Sequence, residues 1–207
     1  MKWGMRMTLH ELAANLGSRL CAVTETEPDR KKERRIVFAL EGVFAAVYSL
    51  LVILVASLVL GTIKQTMAAV LFAGSLRTFT GGVHARTPTR CALIGGVVFG
   101  FLGLGVKYLP WPAGYVWNLL IFLVLATVIL IFAPRETKTK KIPPEQRRVL
   151  KAWTVILLLL FFFCLVYSLK IKDSSLTKAL LLGMGWQALT VSPVLREGVE
   201  KRKEGEE

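Results

Sequence analysis

The stretch AWTVILLLLFFFCLVYSL, residues 152–169, carries no charged side chain and almost no polar atom. As an α-helix its 18 residues would extend about 27 Å, close to the ~30 Å hydrocarbon thickness of a bilayer. Such a helix is apolar on every side, which suits lipid or a large core. The residues around it decide between the two. Upstream lies APRETKTKKIPPEQRRVLK, residues 133–151, with seven Lys/Arg and three prolines. Pro134, Pro143 and Pro144 bar a continuous helix there, and residues 145–151 can restart one. Further upstream, residues 115–133 form a second long apolar run with Asn118 its only strongly polar member.

The same alternation continues outward. Residues 42–63 are uncharged, residues 91–106 extend past Lys107 to Leu109, and residues 176–195 are interrupted only by Lys178 and Gln187. Residues 66–76 form the one marginal run, too short to cross unless Lys64 and Arg77 snorkel. Six crossings predict an all-α, polytopic transmembrane bundle. A four-crossing variant stays open if residues 66–76 and the third run both fail to cross. Gly96 and Gly100 make a GxxxG in the third run, which permits close helix contact within one chain or between two.

The whole chain of 207 residues is 54% hydrophobic with a net charge of +13. This hydrophobicity excludes disorder. Three cysteines, an odd and low count, exclude a disulfide scaffold. The basic residues are strongly segregated. With six crossings, the segments before Arg35, at 77–90, at 135–151 and after 195 hold 22 of the 27 Lys/Arg, and Lys64, Lys107, Lys170, Lys172 and Lys178 hold the other side. The positive-inside rule puts both termini and the 77–90 segment in the cytoplasm. The charge therefore flanks spans and matches no nucleic-acid-binding module, so no nucleic acid is expected as partner. Attraction to anionic lipid is compatible with it.

Three regions follow: an amphipathic cytoplasmic segment (1–35), a membrane domain (36–195) and a charged cytoplasmic tail (196–207). No apolar run precedes Arg30, so no secretory signal is read. Residues 8–23 read as an amphipathic helix opened by a Thr8/Glu11 capping box, with Leu9, Leu12, Ala13, Leu16 and Leu20 on one face. It is expected to lie in the membrane interface or on the bundle; docking a partner helix is the alternative. Residues 24–35, with Pro28, read as a linker.

Polar chemistry concentrates in RTFTGGVHARTPTRC, residues 77–91, which holds one of two histidines and one of three cysteines. On one continuous helix His84 and Cys91 would share a face but stand ~10 Å apart. Pro88 disfavours helix at Thr87 and suits the first turn of a new one. Gly81 and Gly82 free the backbone for a turn. His84 can then fold back over a helix starting near Pro88, with Cys91 in its first turn. The helix dipole there, with Arg86 and Arg90, favours a thiolate that an imidazole would pair. Spacing alone favours a plain interfacial histidine and a helix-start cysteine over catalysis. One His and one Cys are too few for structural zinc, and no metal or cofactor is expected. Cys164 reads as inert, Cys21 as a packing residue and His10 as solvated.

At this segment the chain resembles the accessory gene regulator B (AgrB) family, membrane cysteine endopeptidases of bacterial peptide signalling. Arg77, the run Gly81-Gly82-Val83-His84-Ala85, and Cys91 carry the resemblance, with Ala133-Pro134, Lys141 and Pro143 as a second match. Val83 stands where the family commonly has an aromatic. The resemblance implies that Cys91 is the nucleophile and His84 its general base, with Arg77, Gly81 and Gly82 in support. It implies a short AgrD-like precursor with an amphipathic leader and an acidic tail, cut on the cytoplasmic side of a bacterial cell membrane and closed into a thiolactone or lactone. It also implies a homodimer. Arg86, Arg90, Arg135, Lys138, Lys140 and Lys141 are the basic candidates for meeting the acidic tail. The competing readings are a non-catalytic binding or scaffold protein and a small peptide exporter.

Overall fold

The computed structural model describes residues 15, 16, 18, 19, 30–82, 88–112, 114–135 and 143–193. Six long helices carry them: α1 (Arg30–Val59), α2 (Ile63–Thr80), α3 (Pro88–Tyr108), α4 (Tyr115–Phe132), α5 (Pro144–Lys170) and α6 (Ser174–Val191). Among the described residues there is no strand. Residues 15, 16, 18 and 19 of the expected amphipathic segment are helical and exposed, while its capping box lies outside the described residues. Helix α1 begins at Arg30, which corrects the linker reading of residues 30–35. Arg, Lys and Glu are strong helix formers, so a helix already established by the apolar run extends back through them.

Side-chain and loop bonds fix the direction of every helix. The ends of α2, α4 and α6 meet, because Arg135 donates from its backbone to the Thr80 carbonyl (2.9 Å) and from its guanidinium to the Thr190 carbonyl (2.5 Å). The start of α5 joins them through a stacked Phe79–Trp153 pair, centroids 5.9 Å apart. At the opposite end, Lys107 Nζ donates to the Gly61 carbonyl, Lys178 Nζ to the Leu109 carbonyl, and the Tyr115 hydroxyl to the Leu169 carbonyl. Successive helices therefore alternate in direction, as six crossings require. Arg77, Arg90, Arg135, Arg147, Arg148 and Lys151 gather at the first end, and the five lysines at the other.

Four helices contain windows long and apolar enough to cross a membrane: Ile36–Val59, Thr89–Tyr108, Tyr115–Phe132 and Pro144–Lys170. The third run, whose failure the four-crossing variant required, is one of them. Helices α2 and α6 fall short of that apolarity, and their position explains why. Eleven of the 18 residues of α6 are buried, against four of the 18 of α4. Helix α6 packs on α2 at the centre, and the apolar helices surround the pair. A central helix meets other helices instead of lipid, so it can carry Thr66, Thr80, Lys178, Gln187 and Thr190 without exposing them to hydrocarbon. The outer helices show lipid-compatible faces, with Val47, Leu51 and Val55 on α1 and Trp117, Val124 and Ile131 on α4 exposed.

Small residues set the close helix approaches, tightest where a Cβ on Gly103 of α3 would overlap Thr66 Oγ1 of α2. A Cβ on Gly183 would stand 2.8 Å from the Ala69 carbonyl oxygen of α2. A Cβ on Gly96 would stand 2.9 Å from Val52, and one on Gly100 3.0 Å from Leu60. The GxxxG of α3 is thus spent on α1 of the same chain.

Candidate active site at the basic end of the bundle

The site is built where α2 stops. Gly81 (φ 70°) and Gly82 (φ 152°) take backbone conformations that favour glycine, which ends the helix at Thr80. The Gly81 N–H still closes onto the Arg77 carbonyl at 3.0 Å. The carbonyls of Thr80 and Gly81 then lack helical partners. Arg135 N–H supplies one, and the amide Nε2 of Gln187 supplies the other at 2.7 Å. The same Nε2 lies 2.6 Å from Thr80 Oγ1.

Gln187 is held in that orientation from its own helix. Thr190 Oγ1 donates toward the Gln187 carbonyl (2.9 Å) and the amide Oε1 (3.1 Å), which leaves Nε2 facing α2. Gln187 has no exposed surface, and Thr190 is buried too. Gly82 is pressed into this cluster. A Cβ there would stand 3.2 Å from Thr190 Oγ1 and 3.4 Å from Arg77 Nη1. The Arg77 guanidinium therefore lies beside Gly82, toward the C-terminal end of its own helix.

Helix α3 starts at Pro88, and Cys91 sits half-buried in its first turn. Pro at a helix start costs no hydrogen bond, and the dipole at that end favours a thiolate. Arg77 lies in the last turn of α2 and Cys91 in the first turn of α3, at the same end of the bundle.

The structure thus brings Arg77, Gly81, Gly82 and Cys91 to one end, with Arg90 exposed on the same first turn as Cys91. Arg135 lies there as well, engaged with Thr190 and, at 3.3 Å, with the Ser192 carbonyl. His84, Arg86, Lys138, Lys140 and Lys141 lie outside the described residues. Cys164 is partly buried on α5 against the core. Among the described residues no group of three His, Cys, Asp or Glu could hold a metal ion. Gln187, Thr190 and Thr80 were missed from sequence. Gln187 had left a signal, as the one amide interrupting the last apolar run, whereas Thr190 had left none.

Comparison with known proteins follows the same outline. The family model described as "Accessory gene regulator B" matches residues 11–191. "Protein FsrB" of Enterococcus faecalis (strain ATCC 47077 / OG1RF) is 26% identical over 157 residues, 76% of this chain and 63% of that protein. The chain thus spans less than two thirds of that relative's length. "Putative AgrB-like protein 2" of Clostridium perfringens (strain 13 / Type A) is 23% identical over 183 residues, 82% of this chain and 85% of that protein. A second "Putative AgrB-like protein", from C. perfringens (strain SM101 / Type A), is 22% identical over 182 residues, with the same coverage. No solved structure gives a significant match.

Proposed function

The chain belongs to the accessory gene regulator B family and is a multi-pass membrane protein with four long apolar helices; from that premise we propose a cysteine endopeptidase of peptide quorum sensing. Its substrate is a short precursor with an amphipathic leader, a core containing Cys or Ser, and an acidic tail. The observation that carries this reading is Cys91, half-buried in the first turn of α3, at the end of the bundle where Gly81 and Gly82 close α2.

In this reading His84 takes the Cys91 proton and the thiolate attacks the carbonyl between core and tail. The bond to the tail nitrogen breaks, that nitrogen takes the proton from His84, and an acyl-thioester remains on Cys91. The core's own thiol or hydroxyl then attacks the thioester, closes the ring and returns the Cys91 thiol, its proton passing through His84. Exchange of one thioester for another costs little free energy if water is kept from the intermediate. A site at the membrane surface restricts water, and an amphipathic leader concentrates in the same interface. Arg86, Arg90, Arg135, Lys138, Lys140 and Lys141 draw the acidic tail to the end that also faces anionic lipid. With that end cytoplasmic, a newly made precursor arrives on the correct side. A homodimer is part of the same proposal.

Selective substitution tests the reading. Cys91→Ala and His84→Ala should each abolish cleavage of the cognate precursor, while Cys164→Ala should cleave normally. Cleavage that survives Cys91→Ala overturns the mechanism.

A further inference from the structure

Toward the end of the bundle away from Cys91, α1 and α3 run in the same direction and leave an apolar groove of about 380 Å³ between them. Ala56 of α1, Leu60 just past its end, and Gly96, Val97, Phe101 and Leu104 of α3 line it, and no lining residue has a polar side chain. Gly96 and Ala56 leave room where larger residues would fill the seam, while Val97 and Phe101 stand exposed beside it. From Gly96 to Leu104 the groove follows about 12 Å of helix, close to the ~15 Å depth of one leaflet. It starts near the middle of α3 and ends beside the last turn of α1. There it meets a charge. Lys107 stands one turn beyond Leu104, and its Nζ donates at 3.1 Å to the carbonyl of Gly61, the residue after Leu60. Lys107 is exposed, with Nζ 5.1 Å from the centroid of the Tyr108 ring. An ammonium carries three donors, so the bond to Gly61 leaves others for an anion.

We propose that this groove holds one acyl chain of an anionic phospholipid, from the leaflet opposite Cys91, with the headgroup phosphate on Lys107. An apolar concavity that faces hydrocarbon is filled, because lining atoms without neighbours forfeit their dispersion contacts. A chain laid in it touches two helices at once, where the flat outer faces offer one. The cation at the mouth selects among occupants. A second copy of this chain would have to meet Lys107 with a carboxylate. Among the described residues Asp173 is the one carboxylate at that end, and it is spent on capping α6 through the Ser175 and Leu176 N–H groups. A phospholipid brings the apolar chain and the anion together, at the separation the groove and Lys107 provide. The site is independent of the role of Cys91, which lies at the other end of α3.

The test is native mass spectrometry of the full chain in detergent micelles, incubated with phosphatidylglycerol or with phosphatidylcholine of the same acyl chains. The wild-type chain should retain one phosphatidylglycerol per protomer, about 3- to 10-fold more tightly than phosphatidylcholine, the preference that one basic residue near a lipid surface confers. Lys107→Gln should bring the two affinities together. Val97→Trp fills the groove from an exposed position and should lose the first-bound lipid of either kind. Lys170→Gln removes an exposed cation at the same end, on α5, and should bind as the wild type does. Thermal unfolding should show the same order: phosphatidylglycerol raises the melting temperature of the wild type and of Lys170→Gln more than that of Lys107→Gln. Lys107→Gln changes only an exposed side chain, so the charge arm stands even where Val97→Trp fails to fold. Equal affinities for the two lipids in the wild type, or a preference that survives Lys107→Gln, would overturn the proposal. So would a stoichiometric lipid retained by Val97→Trp. A dimer that excludes lipid and is lost in Val97→Trp would overturn it too, and would assign the groove to a second copy of the chain.

Discussion

Replacing Gly183 by alanine puts a methyl group 2.8 Å from the Ala69 carbonyl oxygen and 3.2 Å from the Phe72 Cβ. Ordinary van der Waals contact begins near 3.4 Å, so α2 and α6 must separate by about 0.6 Å at this point. Both obstacles are backbone or the base of a side chain, so neither can swing away. Overpacking of this kind costs about 1–3 kcal/mol. Alanine also gains about 1 kcal/mol of helix propensity over glycine, which would mask part of the loss. Gly185 removes that ambiguity. It lies two residues further along the same helix and nothing stands within 4 Å of its would-be Cβ. Gly185→Ala collects the same propensity without the clash, so the difference between the two variants isolates the steric cost. At about 2–4 °C per kcal/mol for a chain of this size, Gly183→Ala should melt roughly 2–12 °C below Gly185→Ala. The assay is thermal unfolding of both purified variants in one detergent. Gly183→Ala melting at or above Gly185→Ala would refute the close packing of the central pair. Gly183 lies one turn before Gln187, so the separation should also lengthen the 2.7 Å bond to the Gly81 carbonyl and slow precursor cleavage.

Other substitutions probe the two ends separately. Asp173 caps α6 by accepting from Ser175 N–H and Leu176 N–H, so Asp173→Ala should cost about 1 kcal/mol and lower the melting temperature while cleavage persists. The buried Asn118 amide accepts from Trp111 Nε1 and donates to the Pro112 and Gly114 carbonyls; Asn118→Ala strands these groups and should cost about 1–3 kcal/mol in the same assay. Changing Lys138, Lys140 and Lys141 together to Glu should raise KM for the precursor at least threefold, from about 0.2–1 kcal/mol per lost pair. The wild-type KM should itself rise with salt. A KM indifferent to both would remove the basic loop from tail capture.

The outer helices were legible because lipid contact demands apolar residues on every side, and residues 152–169 state that demand without interruption. The central pair was harder to read for the opposite reason. Lys64 and Arg77 cut the run at 66–76, although helix continues from Ile63 to Thr80, because a helix surrounded by protein can keep polar residues. Prolines and glycines announced the helix break. Gly81-Gly82 ends one helix and Pro88 starts the next, which brings Cys91 into a first turn as the spacing predicted. The rest of the site was hidden because it is made by contacts 106 and 107 residues apart, from Gln187 to Gly81 and Thr80. No local pattern encodes a partner at that separation. Arg135 illustrates the same gap. Its charge was visible in the basic loop, but its bonds to the end of α6 depend on three helices ending together.

The central claim is that Cys91 carries the peptide as a thioester. A precursor whose ring-forming core residue is replaced by alanine cannot close the ring, so the intermediate should accumulate. The protein is mixed with this precursor, quenched in acid and analysed by mass spectrometry. The account predicts an adduct of leader plus core on the peptide containing Cys91, sensitive to hydroxylamine and absent from Cys91→Ala. An adduct on another residue, or release of the tail at the wild-type rate by Cys91→Ala, would contradict it.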